Sequence, residues 1–259
     1  MSTQSSNKNK FIYALVDSTD LSIFNVRGVN KSTVYSLACN DIAAIVSDLD
    51  KSRVRPDRRN IMAHREVLEQ LMRQCNGVLP MRFGIVAQNS MAVKALMSAN
   101  IMLIKEQMQR VWGQVEMGLR VTWDVDNIYE YFVATHPLLR EARDSIMVGG
   151  REASRAEKIE LGRIFDQLLM EERKQYTDTV VDVLQDYCTE ISVGTPKVNN
   201  EVMNISCLVK KDEQDDFEKG IFEASKLFNN DYLFNYTGPW APHSFVDLEL
   251  QTPQKQTVL

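Results

Sequence analysis

The chain has 259 residues, and its hydrophobic content of 44% and charged content of 25% are typical of a folded globular protein. This composition excludes a wholly disordered chain, and the 11 glycines and 7 prolines exclude collagen-like or low-complexity material. The formal net charge of −5 argues against nucleic acid as a partner.

Targeting signals and metal-binding patterns are not expected. Only six apolar residues (FIYALV) precede Asp17, which is too short for the core of a secretion signal. Every longer apolar stretch is interrupted by polar residues before it could span a membrane, so we expect a cytoplasmic protein outside the lipid membrane. The cysteines at 39, 75, 188 and 207 form no CxxC pair, which argues against a disulfide framework or a zinc site.

The start of the chain is predicted to be rich in β-structure. Residues 11–16, 34–39 and 42–49 are apolar, with β-branched and aromatic members, which favours strands. The second and third runs are joined only by Asn40 and Asp41, and both residue types tolerate the positive φ of a tight turn. We therefore predict a β-hairpin whose second strand is buried on much of both faces.

A helix is predicted to begin at Pro56, because apolar residues recur at helical spacing from there until Gly77. Residues 78–86 are apolar again but contain Pro80 and Gly84. Because proline cannot donate a hydrogen bond to a neighbouring strand, this segment predicts an edge strand or two short pieces.

Helical spacing over residues 90–118 completes a β, β, β, α, β, α order. That order predicts a first domain, residues 1–115, with a modified ferredoxin-like α+β fold. A second domain is predicted over residues 116–250, beginning with a strand at 119–125. The polar residues 251–259 predict a flexible tail.

The second domain is predicted to contain an enlarged helical region. Residues 127–147 have helical patterning, Gly149 and Gly150 interrupt it, and the pattern resumes over residues 151–191. Threonines and paired valines at 177–181 weaken the middle of this long helix, so a bend or break is expected there. The apolar stripe is not a strict heptad, which favours a helical hairpin over a free coiled coil.

Strands at 203–209, 231–236 and 245–250 and a helix at 213–228 are predicted to complete the second domain. Their order again resembles a ferredoxin-like cycle. The predicted fold class is therefore α+β with two modified ferredoxin-like domains, the second carrying an inserted long helical hairpin.

The sequence contains no motif for catalysis or cofactor binding. His64, His136 and His243 belong to no metal-binding pattern, and no glycine-rich phosphate loop or nucleophile motif occurs. We therefore expect no enzyme, no catalytic residue, no cofactor and no metal. His64 is expected to be a packing residue on its helix. The arginine-rich residues 53–59 are expected to form a solvated loop, with phosphate or carboxylate binding as the alternative.

Three segments resemble a known family. They are residues 64–69 (HREVLE) followed by 78–86 (VLPMRFGIV), the pair Gly162 and Arg163, and residues 235–246 (NYTGPWAPHSFV). Through them the chain resembles the gas vesicle GvpF/GvpL family over residues 11–250, and the last segment is the most specific. Ile85, Ala241 and His243 depart from the family pattern, which bears on the subfamily. We expect the F-type rather than the L-type.

The resemblance implies a minor, non-enzymatic component of gas vesicles that acts in vesicle assembly inside the cytoplasm. It implies the major shell protein as a partner, with other minor gas vesicle proteins as further partners, and neither nucleic acid nor lipid membrane. A shell subunit must expose apolar surface before it polymerises. A partner could shield that surface through an edge strand or a helix groove, limiting aggregation during nucleation and in some cases remaining on the vesicle wall.

Arg82, Phe83 and Trp240 are the candidate partner-binding residues. Arg82 is expected either to meet a carboxylate or carbonyl of its own chain or to face a partner. Trp240 is expected either to fill a gap between the domains or to serve as an exposed anchor. The alternative function is a small-molecule-binding regulatory module, because ferredoxin-like pairs can bind ligands between sheet and helix.

Overall fold

The structure, a computed structural model, describes residues 8–20, 25–147 and 153–251. Contacts divide the chain into two compact units, Met1–Glu116 with Gly238–Leu259 and Met117–Thr237. This division places residues 238–250 with the first unit, whereas the sequence analysis assigned them to the second domain. The break expected at Gly149 and Gly150 and the tail beyond residue 251 lie outside the described residues.

The first unit contains a five-stranded antiparallel sheet with the order β2-β3-β1-β4, and β5 also pairs with β1. Its strands are β1 (Asn9–Asp17), β2 (Val34–Cys39), β3 (Ile42–Leu49), β4 (Val78–Pro80) and β5 (Val86–Ala87), and its helices are α1 (Arg58–Gln74), α2 (Ser90–Ala99) and α3 (Ile101–Arg110). The predicted hairpin is confirmed as β2 and β3, and Asn40 in its turn has a φ of 55°. The segment predicted as an edge strand or two pieces forms β4 and β5.

Side-chain oxygens set the start of two helices in this unit. The Asp57 carboxylate accepts from the backbone N–H of Asn60 at 2.9 Å and caps α1. The Asn89 side chain accepts from the backbone N–H of Ala92 at 2.8 Å and caps α2. Each cap satisfies a backbone donor that has no partner within the first helical turn.

The second unit is built on a four-stranded sheet with the order β7-β8-β6-β9, which the chain enters through β6 and leaves through β9. Its elements are β6 (Gln114–Trp123), α4 (Ile128–Thr135), α5 (Pro137–Met147), α6 (Arg155–Leu184), β7 (Glu190–Gly194), β8 (Glu201–Lys210), α7 (Gln214–Ser225) and β9 (Tyr232–Trp240). Both sheets are antiparallel, and both have the order second, third, first, fourth strand. The predicted α+β class is confirmed, with two antiparallel sheets, and the ferredoxin-like description of the two domains stays a prediction.

The predicted helix over residues 90–118 is wrong in two respects. It is divided at Asn100, whose backbone leaves helical geometry with ψ of 17° and whose side chain donates to the Leu96 carbonyl at 2.7 Å. The helical pattern then ends at Gly113, which has a positive φ of 70°. Residues 114–118 therefore belong to β6 rather than to a helix.

The break expected at residues 177–181 is also wrong, because α6 is a continuous helix of 30 residues that includes them. Val180 and Leu184 are fully buried, and α6 packs against β8 and α7. Burial of these side chains outweighs the weak intrinsic helix propensity of the β-branched residues. The helix ends at Leu184, so β7 begins within residues that were predicted as the end of the helix.

Residues 245–250 do not form the predicted strand. Phe245 ends a short 3-10 helix (His243–Phe245), and residues 246–251 follow without regular structure. Their alternating aliphatic and acidic side chains fit a strand pattern, but their backbone is bonded by side chains of α3 and its N-cap rather than by a neighbouring strand.

Candidate functional site

The three candidate residues Arg82, Phe83 and Trp240 lie in the first unit, where Trp240 lines an apolar groove along α1. We call it the Trp240 groove; it has a volume of about 260 Å³ and is lined by Ile61, His64, Arg65, Leu68, Glu69, Met72, Trp240, Ala241 and His243. The residues from α1 recur at intervals of three and four, so they form one stripe along the helix. The groove therefore lies where other parts of the chain leave one face of α1 only partly covered.

Trp240 packs against this stripe through a cation–π contact. The guanidinium of Arg65 lies 4.0 Å from the centroid of the Trp240 ring. Arg65 is fixed in turn by Glu69, which is one helical turn further on and accepts from its Nε at 2.7 Å. Trp240 remains partly exposed, so its ring forms a wall of the groove with one side towards solvent.

The base of the groove is an aromatic cluster centred on His64. The His64 ring stacks on Tyr13 at a centroid distance of 5.5 Å and meets Phe11 and Phe83 edge-on at 5.6 Å and 5.7 Å. Phe83 comes from the loop between β4 and β5, so this cluster joins that loop to α1. The aromatic geometry fixes the loop that carries the neighbouring Arg82.

Burial keeps the His64 imidazole neutral. The residue is 6% exposed, and burial, together with the nearby His243, lowers the pKa of His64 to about 4. The Met81 backbone opposes this shift only weakly, and neither ring nitrogen makes a well-formed hydrogen bond with the described residues. A neutral, buried imidazole of this kind serves as a packing group, as the sequence predicted.

The segment that carries Trp240 is anchored to the first unit. Ser244 donates to the Glu116 carboxylate from its backbone N–H at 2.8 Å and from its hydroxyl at 2.6 Å. Ala241 belongs to the hydrophobic core around Phe11, and Phe245 is 2% exposed. These anchors hold the indole in place, so Trp240 does not depend on a partner for its position.

The comparisons with known proteins agree on a single family. The model of the family described as "Gas vesicle synthesis protein GvpL/GvpF" matches residues 9–247. The chain belongs to the GvpL/GvpF family. It is 23% identical to gas vesicle protein F of Dolichospermum flosaquae over 92% of this chain and 98% of that protein.

Crystal structures of two family members have the same fold. The chain superposes on GvpF from Anabaena with a TM-score of 0.80 at 22% identity, covering 93% of this chain and 99% of that one. For GvpF from Microcystis aeruginosa the TM-score is 0.76 at 21% identity, with the same coverage. The F-type names of these relatives agree with the subfamily expected from the sequence.

In this GvpL/GvpF chain the three candidate residues have different environments. Arg82 is exposed and makes no hydrogen bond or ion pair with any carboxylate in the part of the chain that the structure describes. Phe83 is half-buried beside His64, and Trp240 is half-exposed beside Arg65. Sequence reasoning noted Arg65 only as part of the segment 64–69. It did not select Arg65, Ile61 or Glu116 as site residues, since nothing in their spacing relates them to residues 128 or more positions away.

The remaining sequence features give no further site. The arginines of residues 53–59 are exposed, as expected for a solvated loop. In the ranges that the structure describes, no group of three His, Cys, Asp or Glu side chains is arranged to hold a metal ion. No helix in those ranges has an apolar stretch long enough to cross a bilayer.

Proposed function

We propose that this GvpL/GvpF chain acts in gas vesicle assembly by binding subunits of the major shell protein in the Trp240 groove. Bound subunits would be kept from aggregating while a vesicle nucleates in the cytoplasm, and the chain could stay on the vesicle wall afterwards. Other minor gas vesicle proteins are further partners in this proposal. Membership of the family supports a role in gas vesicle formation, and the groove is the surface proposed to bind the shell protein.

The observation that carries the proposal is an apolar groove with an aromatic wall and a charged rim. Ile61, which lines the groove from α1, remains 47% exposed. An anchored tryptophan next to exposed aliphatic side chains is the arrangement that concentrates binding energy in protein interfaces. An apolar helix of a shell subunit fits such a groove by the helix-in-groove mode, and Arg82, exposed on the same unit, would pair an acidic residue of the partner.

Trp240→Ala is expected to weaken binding of the shell protein by about 10- to 100-fold, because truncating a central aromatic anchor typically costs 2 kcal/mol or more. The measurement is a pull-down from cells that co-express the two proteins, together with the amount of shell protein in the soluble fraction. Both readouts should fall in the variant, and vesicle yield should fall with them.

The matched control is Phe222→Ala on α7. Phe222 is also an exposed aromatic, 61% exposed, but it lies in the second unit. Its replacement should leave the affinity for the shell protein within about twofold of that of the parent chain, as expected for a residue outside the contact. Equal losses in the two variants, or a folded Trp240→Ala protein that retains full binding, would refute the groove as the docking surface.

The small-molecule alternative has one observation in its favour, a second groove of about 610 Å³ between the first sheet and α2. That volume lies in the range of ligand pockets. Its lining is aliphatic apart from Gln88, so it offers few polar groups to orient a metabolite. A thermal-shift screen against metabolites distinguishes the two functions, because a bound ligand raises the melting temperature without any shell protein present.

A further inference from the structure

Residues 246–251, which we call the strap, lie along the second groove in an extended arrangement. Val246, Leu248 and Leu250 are half-buried, whereas the alternate Asp247 and Glu249 are exposed. This period of two is the pattern of a strand with one face on a protein surface. Leu250 also lines a smaller apolar space beside Val93 and Ile104.

The strap is held by side chains rather than by a β-ladder. The Gln107 side-chain oxygen accepts from the backbone N–H of Asp247 at 3.1 Å. Asn100 makes two bonds with Gln251, accepting from its N–H and donating to its carbonyl, both at 3.0 Å. Three bonds to amide side chains and two leucines form a weaker attachment than a paired strand of this length would have.

The groove beside the strap has the features of a site for an extended peptide. It is lined by Ile12, Ile85, Ala92, Ala95 and Leu96 together with the two strap leucines. β5 forms its edge: β5 pairs with β1 on one side, and in the described part of the chain no strand pairs with its other side. A free strand edge beside an apolar groove supports β-augmentation, in which main-chain bonds give affinity and alternate side chains fill the groove.

We propose that this groove binds an extended segment of a partner chain with aliphatic side chains at alternate positions, and that the strap is its displaceable occupant. The strap itself indicates the chemistry of the ligand, because its own leucines, two residues apart, are seated there. A partner segment would add to the free edge of β5 and take the positions of Leu248 and Leu250. The proposal does not depend on the Trp240 groove, with which this groove shares no lining residue.

The test uses a fluorescein-labelled peptide, FVDLELQ, which copies residues 245–251. Its affinity is measured by fluorescence anisotropy for the full-length chain and for the full-length Leu248→Ser/Leu250→Ser variant. In the intact chain the strap competes at an effective concentration on the order of mM. We expect the variant with the released strap to bind the peptide at least about tenfold more tightly.

Two controls separate groove binding from loss of structure. A peptide with serine in place of both leucines should not bind, and Ala95→Phe in the released variant should abolish binding by filling the groove. In the intact chain, saturating peptide should speed hydrogen exchange at the N–H groups of Asp247 and Gln251, which requires no destabilising substitution. Equal affinity for the intact and released chains, binding of the serine peptide, or unchanged exchange of the strap would overturn the proposal.

Discussion

Gly28→Ala is expected to lower the free energy of unfolding by about 3 kcal/mol, because a methyl group there would overlap the Tyr13 hydroxyl and lie 2.9 Å from its Cζ and 3.0 Å from Val34 Cγ2. Tyr13 is completely buried, and its hydroxyl bonds to Ser47 at 2.7 Å and accepts from the backbone N–H of Val29 at 2.8 Å. The ring cannot move away without breaking both bonds inside the core. Urea unfolding followed by circular dichroism measures the loss.

The matched control is Gly162→Ala in the interior of α6. Apart from neighbouring residues and the backbone of the helix itself, no atom lies within 4 Å of the methyl group that this substitution adds, and alanine is about 1 kcal/mol more favourable than glycine inside a helix. The same chemical change should therefore stabilise the chain by roughly 0.5–1 kcal/mol. A Gly28→Ala variant as stable as the parent would contradict the close packing of Gly28 against Tyr13.

A double-mutant cycle with Tyr13→Phe identifies the cause of the Gly28→Ala loss. Removing the hydroxyl removes the closest clash, so Gly28→Ala should cost at least about 1 kcal/mol less in the Tyr13→Phe background. Purely additive losses would place the strain elsewhere in the loop.

The elements that the sequence predicted well are those fixed by local chemistry. The β2–β3 hairpin depends on Asn40 in its turn, and α1 depends on an apolar stripe that begins after Asp57. The elements it missed are fixed by contacts between distant residues. The continuity of α6 depends on the burial of Val180 and Leu184, and the irregular strap depends on bonds from Asn100 and Gln107.

The candidate site could be predicted only in part for the same reason. Arg82, Phe83 and Trp240 were selected because their segments resemble a family, and the structure places Phe83 against His64 and Trp240 against Arg65. The groove itself exists because residues 240–245 return to the first unit. No periodicity within the sequence encodes that return, so the groove could be found only once the fold was known.

Stability is expected to fall by about 3 kcal/mol as the pH drops from above 6.5 to about 4, through His64 alone. The ordinary pKa of histidine, 6.5, applies to the unfolded chain, and burial lowers the pKa of His64 to about 4 in the folded chain. Between these values the unfolded state binds more protons than the folded state. The contribution of neutral His64 to the stability of the folded chain is therefore fully present above pH 6.5 and is lost on acidification towards pH 4.

His64→Phe should remove most of this dependence. The new ring keeps the contacts with Phe11, Tyr13 and Phe83 but cannot be protonated, and no well-formed hydrogen bond is lost. Unfolding free energies are compared at pH 8 and at pH 4.5, where carboxylates titrate alike in both proteins. The variant should lie within about 1 kcal/mol of the parent at pH 8 and be about 2–3 kcal/mol more stable at pH 4.5.

Phe83→Leu is the control for this experiment, because it alters the packing of the same cluster without changing a titrating group. It should shift stability equally at both pH values. If His64→Phe instead runs parallel to the parent across the range, His64 has the same pKa in the folded and unfolded chains and is therefore solvated, and the cluster at the base of the Trp240 groove is more open than the structure indicates. The same measurement therefore tests whether the groove has the dry, apolar base that a bound helix requires.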